Sequence, residues 1–467
     1  MVCSPSMAFQ DCELAILRLN VDKVEKEQGK LLVESPETKK TIRIVESFIK
    51  SKKLIIYGGT AINNILPKSH RFYNYNYELP DYDFFSMNAL EHAKELADIY
   101  VKNGFINVEA KAGVHHGTYK VYVNNIGVAD ITYLHPEIFN SLMKDIIKKE
   151  GLLYAPANFL RQSMYLELSR PNGDIDRWEK VLKRLILLNK YYPLKIKKCK
   201  TIQRKMTTKQ VIPEKKIFDI VKKCFIAEKL IFIGGYANAL YSRYLPGYKL
   251  KSLPDFDVLS VDPIKTCNNV KKELAKENVE VKITTYPPIG ELVAEHYSLQ
   301  IGEEYIAFVY KPTACHSYNE ITIGSSKIKV GTIDTLLSFY MAFMYANRPY
   351  YDMNRLLCLS TMLFTVQQRN RLKQSGLLKR FSITCYGTQL TLAELRDEKT
   401  KKRAELKPKS KEYEEWFLNY FPNDTKKQKT NNKSKTIKNK TMKNKTIKNK
   451  TIKNKTIKNK TMKNKKK

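Results

Sequence analysis

Two aspartates, Asp81 and Asp83, are separated by one residue in the segment PDYDFF, and this spacing is the first sign of chemistry in the chain. In a strand, side chains two residues apart point to the same face. Both carboxylates would then share one face, while Tyr82 and Phe84 lie buried on the other. Carboxylates held this close repel each other unless a cation lies between them, and their hard oxygens suit Mg²⁺ or Mn²⁺. A third carboxylate, Asp130 in GVADIT, lies on a predicted neighbouring strand and would complete a two-metal site for in-line phosphoryl transfer.

A glycine pair precedes these aspartates. Gly58, Gly59 and Thr60 end the apolar stretch LIIYGG and open a helix-like segment, where backbone amides and a hydroxyl could bind a triphosphate. Each signal is weak alone, because an Asp-x-Asp is most often a turn or cap. The glycine pair also lacks the Lys-Ser/Thr of a P-loop and the third glycine of a dinucleotide fingerprint. Their conjunction, with the lone aspartate following, is more specific.

The chain contains an internal duplication. The segment 44–59 (IVESFIKSKKLIIYGG) matches 220–235 (IVKKCFIAEKLIFIGG) at an offset of 176. The segment 78–86 (ELPDYDFFS) matches 252–260 (SLPDFDVLS) at an offset of 174. From Tyr119 onward the offset becomes 178 and holds through two further blocks. Agreement over four blocks indicates one duplicated domain, whose repeats we call the first and the second copy.

The combination GGT…DYD…D resembles the signature of the polymerase-β-type nucleotidyltransferase superfamily over residues 58–130. The duplicated architecture and the Pro-Asp-aromatic-Asp context resemble, more narrowly, the poly(A) polymerase catalytic subunits of poxviruses and giant DNA viruses. This resemblance implies template-independent addition of AMP from ATP to RNA 3′ ends with two Mg²⁺ or Mn²⁺ ions. It also implies that Asp81, Asp83 and Asp130 bind the metals and carry out catalysis. It further implies that Gly58, Gly59 and Thr60 bind the triphosphate. Two flanking residues, Asn63 and Lys120, are predicted to contact the nucleotide.

The second copy retains only part of this set. It keeps its glycine pair and both aspartates, Asp255 and Asp257. However, Tyr236 stands at the position of Thr60, and the constant offset places Phe308 at the position of Asp130. Since an apolar ring cannot ligate a metal, we predict a degenerate second copy with a structural or RNA-handling role.

The predicted fold is α+β, with two tandem nucleotidyltransferase-like domains, each a mixed sheet with helices against one face. Each copy is expected to end in one long helical stretch, from about 158 to 191 in the first copy. The predicted segments are an N-terminal segment 1–36, a catalytic domain 37–194, a basic linker 195–212, a degenerate domain 213–374, a C-terminal segment 375–424 and a disordered tail 425–467.

The formal net charge is +36 over 467 residues. Removing the 19 lysines that follow Thr425 leaves +17 on residues 1–424, so the body is basic without its tail. This favours a polyanionic partner such as RNA, although a lysine-rich compositional bias is an alternative. The tail repeats Thr-(Ile/Met)-Lys-Asn-Lys six times and has too few apolar residues to bury a core. It could tether RNA, act as an address, or be a tolerated repeat expansion.

Eight scattered cysteines without a CxxC pair predict reduced thiols in a cytosol-like compartment. No signal peptide is evident, and the apolar stretch 336–346 is far too short for a membrane span, so we expect a buried helix there and no membrane partner. The viral resemblance implies a cytoplasmic location, in a viral factory or virion. The expected partner is the RNA 3′ end, with a homodimer or a processivity subunit as possible additions.

Other functions stay open at this stage. The same motif would serve an oligoadenylate synthase or a uridylyltransferase-like enzyme, and a non-catalytic RNA-binding scaffold would share the basic surface. The aromatic loop 71–80 (RFYNYNYELP) could stack bases or be an ordinary packed loop.

Overall fold

The two copies fold into two sheets of eight strands each among the described residues of a computed structural model. These residues are 2–194, 212–246 and 255–422. The predicted basic linker, apart from its last residue, and the predicted lysine-rich tail lie outside the described residues.

The helices and strands of the N-terminal segment and first copy follow in chain order. They are α1 (Phe9–Glu34), α2 (Pro36–Lys52), β1 (Ile55–Ile56), α3 (Gly58–Ile65), β2 (Asp83–Ser86), α4 (Ala89–Lys102), β3 (Val108–Ala112), β4 (Thr118–Val123), β5 (Ile126–Tyr133), α5 (Pro136–Lys144), β6 (Ile147–Lys149), β7 (Leu152–Tyr154), α6 (Ala157–Leu168) and α7 (Trp178–Tyr191).

The second copy and C-terminal segment continue the series. They contain α8 (Glu214–Ala227), β8 (Ile231–Phe232), α9 (Gly235–Ser242), β9 (Phe256–Leu259), α10 (Pro263–Ala275), β10 (Lys282–Tyr286), β11 (His296–Ile301), β12 (Glu304–Tyr310), β13 (His316–Ile323), β14 (Ser326–Gly331), α11 (Ile333–Phe343), α12 (Met353–Arg369), β15 (Cys385–Tyr386), α13 (Leu392–Glu405), α14 (Lys411–Phe417) and β16 (Asn419–Tyr420).

Both sheets have the same strand order. The order β3-β4-β5-β2-β1-β7-β6 in the first copy corresponds strand by strand to β10-β11-β12-β9-β8-β14-β13 in the second. In each copy the central Asp-x-Asp strand runs parallel to the hairpin strand beside it and antiparallel to the glycine-pair strand. The predicted fold class, two mixed-sheet domains of one architecture, is confirmed.

Local sequence explains the turns that shape the first sheet. The β4–β5 hairpin turns at Asn124 and Asn125, whose φ values of 51° and 64° suit the asparagine-rich two-residue turns that match strand twist. Helix α4 ends before Gly104, whose φ of 91° is the left-handed conformation typical of a helix C-terminus.

The predicted long helical stretch at 158–191 is wrong in one respect, because the structure has two helices there. Helix α6 ends at Leu168 and α7 begins at Trp178. Pro171 and Gly173 lie between the two helices. The proline disfavours helical backbone in the residue before it. The hairpin of β6 and β7 was also missed, since its strands have only three residues each.

The helices α6 and α11 occupy equivalent places in the two copies and pack against each other. Every residue of α11 is buried, as expected for the apolar stretch that contains it. Aromatic rings continue this contact across the copies: Phe159 lies edge-on to Tyr345 at 5.3 Å between centroids, and also to Phe85 of β2 at 5.8 Å. Strand β2 is therefore linked to the second copy through packed rings.

The C-terminal segment folds back onto the first copy. Strand β16 pairs with the edge strand β3, while Lys94 of α4 forms an ion pair of 2.6 Å with Glu414. The ring of His116 packs on Trp416 at 4.4 Å between centroids. Strand β16 thus takes the edge position of the sheet beside β3. At the other sheet, β15 pairs with β13.

The cysteines differ from the prediction of reduced thiols throughout. The structure joins Cys3 to Cys12 and Cys315 to Cys385 in disulfides, with Cα atoms 5.2 Å and 5.1 Å apart. These pairs have no CxxC spacing, so the sequence pattern could not indicate them. Among the described residues, no helix is long and apolar enough to cross a membrane.

Candidate active site

The three aspartates predicted to bind metal lie together in the first sheet. Asp83 is the first residue of β2, and its register partner on the parallel strand β5 is Asp130. The backbone N–H of Asp130 donates to the carbonyl of Tyr82 over 3.0 Å, which fixes the two strands at this point. Asp81 precedes β2 by two residues, so the strand starts later than predicted. Tyr82 and Phe84 are buried on the opposite face, as expected.

The Asp83 carboxyl group has a strongly shifted pKa. Burial, then the negative charges of Asp81 and Asp130, raise its pKa to about 7. Gly58 closes over it: a Cβ atom there would lie 2.6 Å from an Asp83 carboxylate oxygen, and the φ of 70° is one that glycine adopts readily. The glycine is therefore required for helix α3 to begin directly above the carboxylate.

The pKa of the Asp81 carboxyl group is also raised. Desolvation and then the charge of Asp130 raise its pKa, opposed by the cations Lys120, Lys180 and Arg184. An ionised cluster of this kind gains from any cation placed among its oxygens.

Lys120 supplies one such cation. It is the register partner of Asp130 on β4, and its ammonium group donates to the Asp130 carboxylate in a short ion pair. Burial works against the charged form, yet the hydrogen bond and charge of Asp130 raise the pKa of Lys120. The predicted nucleotide contact of Lys120 stays a prediction.

The donor set fits a hard divalent cation. Three carboxylates on adjacent segments offer oxygen ligands, and their mutual repulsion would be relieved by bound metal. In the part of the chain that the structure describes, however, no group of three or more His, Cys, Asp or Glu side chains is arranged so that it could hold a metal ion as it stands. One carboxylate oxygen of Asp130 is paired with the Lys120 ammonium group.

Arg184 lies beside the glycine pair and was not predicted. A Cβ atom on Gly59 would approach an Arg184 guanidinium nitrogen to 3.1 Å and the Tyr73 hydroxyl to 2.7 Å. The guanidinium donates to that hydroxyl over 2.6 Å and lies over the ring of Phe72, 4.8 Å from its centroid. The aromatic loop 71–80 thus holds an arginine over the start of α3.

Helix α7 brings further positive charge to the same place. Lys180 and Arg184 lie four residues apart and therefore on one face of the helix, and both lower the pKa of Asp81. Arg177, three residues before Lys180, acts likewise on Asp83. The basic i, i+3, i+7 spacing was visible in the sequence, but nothing local indicated that this face meets the carboxylates.

Asn63 and Thr60, both predicted to contact the nucleotide, are buried and hydrogen-bonded within the protein. Asn63 is fully buried, and its amide oxygen accepts the backbone N–H groups of Phe72 and Tyr73, each over 2.8 Å. Asn63 therefore positions the aromatic loop, and its predicted nucleotide contact stays a prediction. The hydroxyl of Thr60, also buried, donates to the carbonyl of Asp81 over 2.5 Å and so ties α3 to the Asp-x-Asp segment.

The equivalent region of the second copy is closed. Phe308 is the register partner of Asp257, as Asp130 is of Asp83, which confirms the alignment made from the offsets. A Cβ atom on Gly234 would lie 1.8 Å from an Asp257 carboxylate oxygen, so this side chain packs directly against the glycine pair. The remaining cavity is about 20 Å³. Arg355 lies 3.8 Å from the buried Asp255 carboxylate.

Comparison with known proteins agrees with this geometry. Residues 43–174, which contain the glycine pair and all three aspartates, match the family described as "Poly(A) polymerase catalytic subunit". A protein of African swine fever virus (strain Badajoz 1971 Vero-adapted), named as a poly(A) polymerase catalytic subunit, is 32% identical over 194 residues. That match covers 40% of this chain and 40% of the relative's length.

More distant similarities extend over most of the chain. A protein of Acanthamoeba polyphaga mimivirus named in the same way is 21% identical over 454 residues, covering 85% of this chain and 74% of the relative. The crystal structure of the Megavirus polyadenylate synthase superimposes with a TM-score of 0.77 at 20% identity, covering 94% of this chain and 91% of that one. This similarity shows that the two-copy fold is shared.

Proposed function

We propose that the chain is the catalytic subunit of a template-independent poly(A) polymerase, which transfers AMP from ATP to the 3′ end of RNA and releases pyrophosphate. The observation that carries this proposal is the placement of Asp81, Asp83 and Asp130 beside the glycine pair within the family segment. The basic body of the chain suits a polyanionic substrate.

In this proposal Asp81, Asp83 and Asp130 hold divalent cations, Mg²⁺ or Mn²⁺. Bound cations would offset negative charge on the α-phosphate and the leaving pyrophosphate. The RNA 3′ oxygen attacks the α-phosphorus, a new phosphorus–oxygen bond forms, and the bond to the β-phosphate oxygen breaks. Asp130, at the sheet position farthest from the glycine pair, accepts the proton of the attacking hydroxyl.

The chain's own cations would bind the triphosphate. The backbone N–H groups at Gly58 and Gly59 open helix α3, and Arg184 and Lys180 extend positive charge from α7 over the same point. Arg184 would exchange its hydrogen bond with Tyr73 for phosphate oxygens, for which a guanidinium is well matched. Thr60 and Asn63 act indirectly, by fixing the Asp-x-Asp segment and the aromatic loop.

Partners and location are also part of the proposal. We expect the basic surface and the lysine-rich tail to hold RNA. We also expect either a homodimer of this chain or a separate processivity subunit to extend processivity. The viral relatives favour a cytoplasmic viral factory or the virion as the location.

The test is extension of a labelled RNA primer with each nucleoside triphosphate separately, in Mg²⁺ or Mn²⁺. Repeated addition with ATP alone is expected. Addition of UMP would instead indicate a uridylyltransferase, and primer-independent oligomers would indicate an oligoadenylate synthase. RNA binding without any addition would leave only a scaffold and overturn the proposal. The Asp81→Ala variant is the control for contaminating activity.

A further inference from the structure

A row of three hydroxyl groups lies next to the carboxylates and has no role in the reaction described above. The hydroxyl of Tyr57 is 2.9 Å from that of Thr132, and the hydroxyl of Thr118 is 3.1 Å from the same Thr132 oxygen. We call Tyr57, Thr132 and Thr118 the hydroxyl triad. All three side chains are half-buried, so the triad borders solvent.

Strand register places the triad on the face of the reacting atoms. Thr132 follows Asp130 by two residues on β5, so both side chains point to one face, about 6–7 Å apart. Its register partner on β2 is Phe85, two residues after Asp83, and its partner on β4 is Thr118. The triad is thus one side-chain step along the sheet from the carboxylates.

Tyr57 is held rigidly in this place. Its ring stacks on Phe85 with centroids 3.8 Å apart and an angle of 11°, and its backbone N–H donates to the Asp83 carbonyl over 2.9 Å. The two hydrogen bonds that join the triad use two of its three hydroxyl donors. A further donor and several acceptor lone pairs are therefore available to a ligand.

The second copy supplies an internal comparison. By the sequence offsets, Ile233 replaces Tyr57, Tyr310 replaces Thr132 and His296 replaces Thr118. All three are fully buried, and His296 and Tyr310 stack with centroids 4.9 Å apart. The open hydroxyl surface is thus present beside the complete carboxylate set and is filled by packed rings beside the incomplete one.

We propose that the hydroxyl triad binds the 2′-hydroxyl of a ribose at the reacting end, and so selects ribonucleotides over deoxyribonucleotides. This rests on the proposed function. A 3′-hydroxyl delivered to Asp130 has its 2′ neighbour on the adjacent ring carbon, within reach of Thr132 and Tyr57. The primer's terminal ribose is the expected source, because the triphosphate belongs on the other side, at Gly59 and Arg184. The ribose of ATP has the same chemistry.

The test crosses a protein change with a substrate change. Tyr57→Phe keeps the ring stack on Phe85 and removes one hydroxyl, while Thr132→Val removes the central one. First-addition kcat and KM are measured on an RNA primer with ATP, on the same primer ending in a 2′-deoxynucleotide, and with 2′-dATP as the nucleotide. The control is Tyr133→Phe, an exposed neighbour on the opposite face of β5.

Each triad variant is expected to lose about 3- to 10-fold in kcat/KM on all-ribose substrates, as for loss of one hydrogen bond. The loss should shrink below about 2-fold on the deoxy-ended primer if the triad binds the primer, or with 2′-dATP if it binds ATP. Equal losses on all substrates, or no loss, would overturn the inference. Unchanged melting temperatures separate this effect from misfolding, and failure of the unaltered protein to extend RNA would instead refute the proposed function.

Discussion

The two copies share one strand order, yet only the first keeps all three carboxylates beside its glycine pair. In the first copy Gly58 lies against the Asp83 carboxylate and Gly59 against Tyr73 and Arg184, and the cations of α7 and Lys120 act on the carboxylates. In the second copy the carboxylates themselves pack against the glycines, and Phe308 fills the place of the third. The contrast shows that a backbone can keep an active-site architecture while the side chains turn it into a core.

The difference also shows how buried charge is handled in each copy. The pair Lys120–Asp130 is replaced at the same register by Ser298 and Phe308. The buried Asp255 of the second copy has Arg355 as an internal counterion. Four predictions test this comparison.

The largest expected effect is on catalysis. Asp81→Ala or Asp83→Ala should reduce RNA extension by at least about 10³-fold, because metal-bound charge stabilisation is lost. The matched change Asp257→Asn in the second copy should alter the activity of folded protein by less than about 3-fold. Primer extension normalised to the folded fraction checks both, and a comparable loss in Asp257→Asn would show that the second copy takes part in the reaction.

A smaller effect is expected from the cations of α7. Arg184→Met should raise the KM for ATP by about 10- to 100-fold, since a charge-assisted contact to phosphate is worth ~1.5–3 kcal/mol. The control is Lys183→Met, which is adjacent on the helix but largely exposed and paired with Glu179. If the two variants behave alike, Arg184 has only a general electrostatic role.

The internal counterion of the second copy should matter for stability alone. Arg355→Met leaves the buried Asp255 without this cation and should lower the free energy of unfolding by about 3 kcal/mol. Denaturant unfolding measures the loss, and kcat per folded molecule should be unchanged. An unaltered midpoint would mean that Asp255 is stabilised by other groups.

The smallest effect concerns pH. The raised pKa of Asp83 means that the folded protein binds a proton more tightly than the unfolded chain. Without metal, the contribution of Asp83 to the stability of the fold is therefore complete below about pH 4. It is lost as the pH rises from about 4 to about 7. In EDTA, Asp83→Asn should be more stable than the unaltered protein at pH 8, by about 1–3 kcal/mol, and the difference should fall toward zero at about pH 4.

Thermal unfolding at both pH values measures this difference. Adding Mg²⁺ at pH 8 should raise the melting temperature of the unaltered protein but not that of Asp83→Asn. A flat pH profile of the difference would show that the carboxylate cluster is not strained in the metal-free state.

Much of the candidate site was predictable because each of its motifs spans only a few consecutive residues. The glycine pair, the Asp-x-Asp and the lone Asp130 each need only local sequence, and the constant offset was enough to place Phe308 opposite Asp257. The predicted long helical stretch over 158–191 is interrupted between α6 and α7, and the sequence left this open because a proline and a glycine within a helical pattern can produce either a kink or a break. The disulfides Cys3–Cys12 and Cys315–Cys385 lay beyond prediction because pairing depends on distance in space, not on spacing along the chain.

By itself, the sequence determined the duplication, the mixed-sheet class and the identity of the carboxylates, since these depend on periodicity and on residues close in the chain. Only the tertiary structure decided that Arg184 reaches Gly59, that Asn63 turns to the aromatic loop, and that β16 covers β3. These contacts join segments whose relative positions are set by strand register and helix packing. No local pattern encodes such long-range pairing, because it arises when the whole core closes.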